Sequence, residues 1–186
     1  MPLETPADIR EARRALSADS FPGTVRSYYP YWDAQYRPYL VEAVTAFPAE
    51  HLDFKPRPEL LTAREMIVHM AEAEIAWIGG VLGGGAIEEW VVPDDDPAQG
   101  WRLVVDAPDH ASLLARLETC HRPTQAWFDR PTSDLARVAT RQVEGEANLR
   151  RYTAHWILDH VQEHEIHHRA MLNLYLRLLG VEPPSI

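Results

Sequence analysis

An all-α four-helix bundle is the fold class this 186-residue sequence predicts, with a short extra N-terminal helix and a long connection between the second and third helices. Three observations carry the prediction. Four stretches repeat apolar residues at three- and four-residue spacing. Residues that start and stop helices stand at several of their ends. No pair of stretches alternates strongly enough to read as long paired strands. At 46% hydrophobic residues, a chain of this length can bury one core, so residues 1–186 read as a single domain with 1–27 as an N-terminal extension.

Within the extension, residues 6–18 place Ile9, Ala12 and Leu16 on one side of a short helix. PGTVRSYYP then breaks the chain. The first long helix is expected from Tyr31 to Ala46, with Trp32, Tyr36, Leu40, Ala43 and Val44 at helical spacing and Pro38 as the point where it should kink. Thr62 and Glu65 match the S/T-x-x-E capping box, so the second helix should start there. It should stop near Ile78, at Gly79-Gly80. Residues 80–108 have no helical pattern, and WRLVV reads as a short strand. A connection of that length suits a lid or binding loop, with Trp90 and Trp101 available to cover a pocket. The third helix is expected from about Asp109 to Phe128, bent at Pro123. The fourth should start between Asn148 and Thr153 and end at Gly180, a C-cap glycine.

The formal net charge of -10 and a single lysine, Lys55, argue against a nucleic-acid surface. No apolar run is long enough to cross a membrane, and the N-terminus lacks a secretory h-region. One cysteine, Cys120, allows no internal disulfide and fits a cytoplasmic setting. Cys120 falls on an apolar face, which suits a small buried hydrophobe better than a nucleophile.

Four of the nine histidines fall in HVQEHEIHHR, residues 160–169. With His160 at zero, a turn of about 100° per residue puts His164 near +40°, His168 near +80° and His167 near -20°. Met171, Leu174, Tyr175 and Leu178 share that arc, whereas Glu165 and Arg169 point away, so the imidazoles should face the bundle interior. His164 and His168, at i and i+4, can chelate one ion. His69, at the edge of the second helix's apolar stripe, is the best third ligand. Three neutral imidazoles with an open position describe a catalytic type of site, and imidazole suits zinc, nickel, iron and copper alike. Glu118-x-x-His121 and Glu165-x-x-His168 also raise a di-iron carboxylate bundle, with Glu42 and Glu72 as further acids. Both motif glutamates lie off the required faces.

The capped second helix with its central His69, followed by W-I-L-D-H-V-Q-E-H-E-I-H-H-R at residues 156–169 and a final Leu179-Gly180, resembles the DinB-like family of four-helix-bundle proteins. The resemblance covers roughly residues 25–181. It implies a divalent metal (zinc, nickel or iron) held by His69, His164 and His168, with His160 and His167 as neighbours that orient a ligand or relay a proton. It implies metal-dependent chemistry of the thiol S-transferase kind, with a low-molecular-weight thiol as co-substrate and a small electrophilic substrate, and often a homodimer. The family motif continues His-Arg-Gly-Gln where this chain reads His168-Arg169-Ala170-Met171, so contacts of that Gln are missing. The alternatives are a metal-dependent hydrolase, a bundle stapled by its metal without catalysis, or a small-molecule or metal-binding module. A fourth protein ligand, such as His160 or Glu72, would favour the staple.

Overall fold

Pro38 decides how the first long helix begins. In the computed structural model of the chain, which describes residues 23–85, 91–93, 101–103, 106–142 and 147–184, a single turn α1 (Val25–Tyr28) precedes π-helical turns at Trp32–Tyr36, which lead into α2 (Arg37–Ala46). Proline has no N–H, and its ring crowds the carbonyl four residues back. The wide turns leave Pro38 in the first turn of α2, where a missing donor costs nothing. The expected kink is therefore a change of winding. The expected 6–18 helix lies outside the described residues.

The Thr62–Glu65 box opens α3 (Ala63–Glu74): the Thr62 side chain accepts from the Glu65 amide at 3.1 Å, and Glu65 accepts from the Thr62 amide at 2.7 Å. Gly79-Gly80 does not stop this helix. It continues as π-helical Ile75–Leu82 and ends at Gly84, whose φ of 72° is cheap only for glycine. A Cβ on Gly83 would meet the Gly79 carbonyl oxygen at 2.5 Å, so the ending also needs a glycine one residue earlier. Two short antiparallel pairs, absent from the expectation, follow. WRLVV supplies β2 (Trp101–Leu103) against β1 (Val91–Pro93). After α4 (His110–Phe128), capped by Asp109 and Ser112, β3 (Val138–Arg141) pairs with β4 (Arg150–Thr153). The last helix, α5 (Ala154–Leu178), therefore starts just after the expected window. The Thr153 hydroxyl accepts from the Trp156 amide at 3.2 Å, and Gly180 at φ 75° closes the end.

α3 packs on α4 and α5, and α2 on α5. The core divides into two clusters along the bundle. One gathers Leu40, Met66, Met70, Leu117, Cys120 and Leu172; the other gathers Trp32, Ile78, Phe128, Ile157, Leu158 and Val161. Between them, on all four long helices, lies a polar layer of Arg37, Glu74, His121, Thr124 and Glu165, with Asp33 at its edge.

The layer corrects the phase reading of α5. Its buried stripe is Ala154, Ile157, Leu158, Val161, Leu172 and Leu176, centred about 120° from His160. Glu165 and Arg169 are inside, at 4% and 7% exposure, while Leu174 and Leu178 are exposed at 53% and 56%. The histidine face is the edge of the core, half-buried and open on one side.

Candidate metal centre

α5 carries a ring every four residues: Tyr152 just before it, then Trp156, His160, His164 and His168. A spacing of four on a helix of 3.6 residues per turn stacks side chains along one face and winds them slowly round it. Tyr152 and Trp156 stack at 4.7 Å, and Trp156 and His160 at 4.8 Å; His164 and His168 meet edge to face at 4.4 Å. The facing helix answers at two levels. His69 on α3 lies with its ring 4.7 Å from His164 and 5.0 Å from His168. Trp77, two turns further on, meets Tyr152, Trp156 and His160 at 5.1–5.5 Å.

His69, His164 and His168 thus come together as the sequence predicts, each half-buried, with one nitrogen of each within 4.8 Å of the others. Two nitrogens on one ion at about 2.1 Å sit at most about 4.2 Å apart, so one ion would need only a small contraction of the trio. His69 Nε2 and His164 Nε2 are already 2.9 Å apart. His168 Nδ1 is buried with no hydrogen-bond partner among the described residues, a cost that an ion or other partner at that nitrogen would remove. Burial, reinforced by the neighbouring imidazoles, depresses the His164 pKa to about 3 and that of His168 to about 4; burial also lowers His69. All three rings are therefore neutral near pH 7, the state a metal requires.

No fourth protein ligand closes this group among the described residues. His160, whose pKa is lowered by burial, is held between Trp156 and Trp77 with its ring 6.2 Å from His164. His167 is exposed, edge-on to His168 at 5.1 Å. Glu72 is bound to Arg116.

The di-iron alternative does not assemble. Glu42 and Glu118 are exposed. Glu165 turns into the polar layer, accepting from Trp32 at 3.3 Å and lying 3.1 Å from Arg37. His121 sits between two carboxylates there, Nδ1 2.6 Å from Glu74 and Nε2 2.7 Å from Asp33. Burial disfavours the His121 charge, but these contacts outweigh both it and the Arg37 guanidinium 2.8 Å from Nδ1, and raise its pKa. Burial would raise Glu74, yet Arg37 and His121 hold its pKa below the usual range; for Glu165 burial prevails and the pKa rises. Cys120 is buried with its thiol pushed up to about 12, in line with a hydrophobe. Trp90 and the Trp101 side chain lie outside the described residues.

The polar layer was missed in the sequence. Its members come from four helices and share no spacing. Tyr152 and Trp77 were missed as neighbours of the site, although the 152–156–160–164–168 spacing is visible in the chain.

A family model described as DinB family matches residues 18–186. Among solved structures, a DinB-like protein from Bacillus subtilis aligns with a TM-score of 0.54 and 22% identity, over 81% of this chain and 90% of that one. A DinB-like protein from Bacillus cereus aligns with a TM-score of 0.61 and 15% identity, over 88% of this chain and 97% of that one. At these identities the two structures speak for the fold. No curated protein matches the sequence. Among the described residues, no helix is long and apolar enough to cross a membrane.

Proposed function

Because the chain belongs to the DinB family, we propose that His69, His164 and His168 hold one divalent metal with an open position, and that the site serves thiol transfer to a small electrophile. The observation that carries this reading is the gathering of three half-buried, neutral imidazoles with no fourth protein ligand among the described residues. Imidazole donors suit zinc, nickel or iron.

When bound, the metal supplies a Lewis acid that lowers the pKa of a thiol or water in its open position. The chain's residues do the rest. The three ligands come from two packed helices, so they are gathered to within a small contraction of one ion before metal or substrate arrives. His160, clamped between Trp156 and Trp77, presents a ring beside the open side; His167, in water next to His168, can pass a proton outward. In the transfer, sulfur bonds to the electrophilic carbon, the leaving group departs with its electron pair, and the thiol proton goes to a base and then to solvent. Water in place of the thiol would give hydrolysis. The acidic chain supports a small-molecule substrate over nucleic acid. Exposed Leu174 and Leu178 on the outer face of α5 support a homodimer, which sedimentation would detect.

The test is consumption of monochlorobimane by protein reconstituted with zinc, nickel or iron and supplied with low-molecular-weight thiols. Turnover that needs both metal and thiol supports transfer. Metal bound one per chain without turnover of thiol or of hydrolysable esters would leave a staple.

A further inference from the structure

Beside the three histidines, the ring ladder continues into an open wall. Trp156 is 40% exposed, unusual for the largest apolar side chain. Tyr152 stacks on it from the preceding residues and His160 from the following turn, at interplanar angles of 30° and 14°. What Trp156 shows to solvent is therefore ring edge, the positive part of the aromatic quadrupole. Trp77 crosses the same stack, and the Arg141 guanidinium lies over the Trp77 ring, 4.9 Å from its centroid.

Arg141 and Arg137 also line one cavity of about 590 Å³ between β3 and the glycine-rich end of the π-helical segment. Neither arginine has a carboxylate partner among the described residues, and the chain as a whole is acidic, so this local positive charge is not a background property. A guanidinium placed over an aromatic face still presents the donor fork that can grip a carboxylate with two hydrogen bonds.

We propose that the wall of Tyr152, Trp156, His160 and Trp77, ending at Arg141, is the substrate-recognition surface of the metal site, and that it takes a planar aromatic carboxylate. The inference rests on the proposed metal site for its role in catalysis, but the wall's ligand preference can be tested separately. The ring of the ligand lies against the indole edges. Its carboxylate meets Arg141, which leaves the far end of the ligand directed along the ladder toward His164.

The test is calorimetric titration of the metal-loaded protein with benzoate, with cyclohexanecarboxylate (charged, not planar) and with benzamide (planar, uncharged), alongside a metal assay of every sample. Benzoate is expected to bind about tenfold tighter than either analogue, and Arg141→Gln and Trp156→Ala are each expected to weaken it about tenfold. Arg141 is exposed, so its substitution keeps the test valid if Trp156→Ala folds poorly. Equal binding of the three probes, or benzoate binding unchanged in both variants, would overturn the proposal; the second result would mean that the carboxylate sits on the metal alone. Trp156→Ala converting a dimer to a monomer while benzoate binding stays unchanged would also overturn it, making the wall an interface between two copies. Selective benzoate binding in a protein that holds no metal would sustain the wall and sink the metal site.

Discussion

The two sides of α5 at residues 164–169 handle polar groups in opposite ways. On one side His164 and His168 join His69 as neutral rings at the edge of the core, half-buried. One residue further along, Glu165 enters a layer in which Arg37 and His121 lie against Glu74, Asp33 and Glu165 itself, with Arg37 Nε and Glu165 Oε1 left without a hydrogen-bond partner among the described residues. A layer of opposite charges pairs largely within itself. A set of neutral imidazoles brings lone pairs that a cation can take. The difference separates a structural polar cluster from a candidate metal site on the same helix turn.

Breaking the layer should have the larger effect on stability. Glu74→Ala leaves Arg37 only Glu165 and His121 only Asp33 among their carboxylates, and removing one partner of a buried ion pair costs about 3–5 kcal/mol. Urea denaturation should record that loss, while metal bound per folded chain stays at the wild-type value. Next in size is the gain from metal. At a free concentration a hundredfold above Kd, an ion bound only by the folded state adds about 2.7 kcal/mol, and the rise in Tm should vanish in His168→Ala.

Acidity should separate the two regions by sign. His164 and His168 have folded pKa values of about 3 and 4 against an ordinary 6.5, so below pH 6.5 the unfolded chain takes up protons that the folded chain refuses. Their contribution to the metal-free protein is full above that pH and is lost as pH falls toward 4. For His121 the pKa is raised, so its contribution is full below 6.5 and is lost as pH rises through the folded value. Denaturation midpoints measured from pH 4.5 to 8.5 should lose the acid-side slope in a His164→Ala/His168→Ala variant and the alkaline-side slope in His121→Gln. Equal slopes in both variants would mean that the two sides do not differ as described. The smallest effect is expected at Trp156→Ala, whose ring is partly exposed and whose loss should lower stability by about 1 kcal/mol or less by the same denaturation.

The triad was legible because histidine is scarce and i, i+4 spacing has one geometric meaning on a helix. His69 followed from its position on a capped helix. The face was misread because Met171, Leu174 and Leu178 made the histidine arc look interior, while the fuller stripe from Ala154 to Leu176 ran about 120° away. Glu165 and Arg169 looked like solvated charges because the partners that bury them, Arg37 and Tyr39, come from a helix more than a hundred residues upstream. Sequence phase locates side chains relative to their own helix, and only packing decides which arc is covered. Gly79-Gly80 read as a stop for a related reason. Propensity favours ending there, but the segment's burial against the bundle, with Ile78 and Leu82 inside, carries the helix on to Leu82.

The central claim is that three histidines from two helices make one metal site. Purified protein reconstituted with zinc, nickel or iron, dialysed and assayed by elemental mass spectrometry, tests it directly. About one ion per chain is expected in the wild type, by the count of ligands in one open site, and loss of that ion in His69→Ala and in His164→Ala with the helical circular dichroism retained. A wild-type chain that keeps no ion, or a His69→Ala chain that keeps its ion in full, would contradict it.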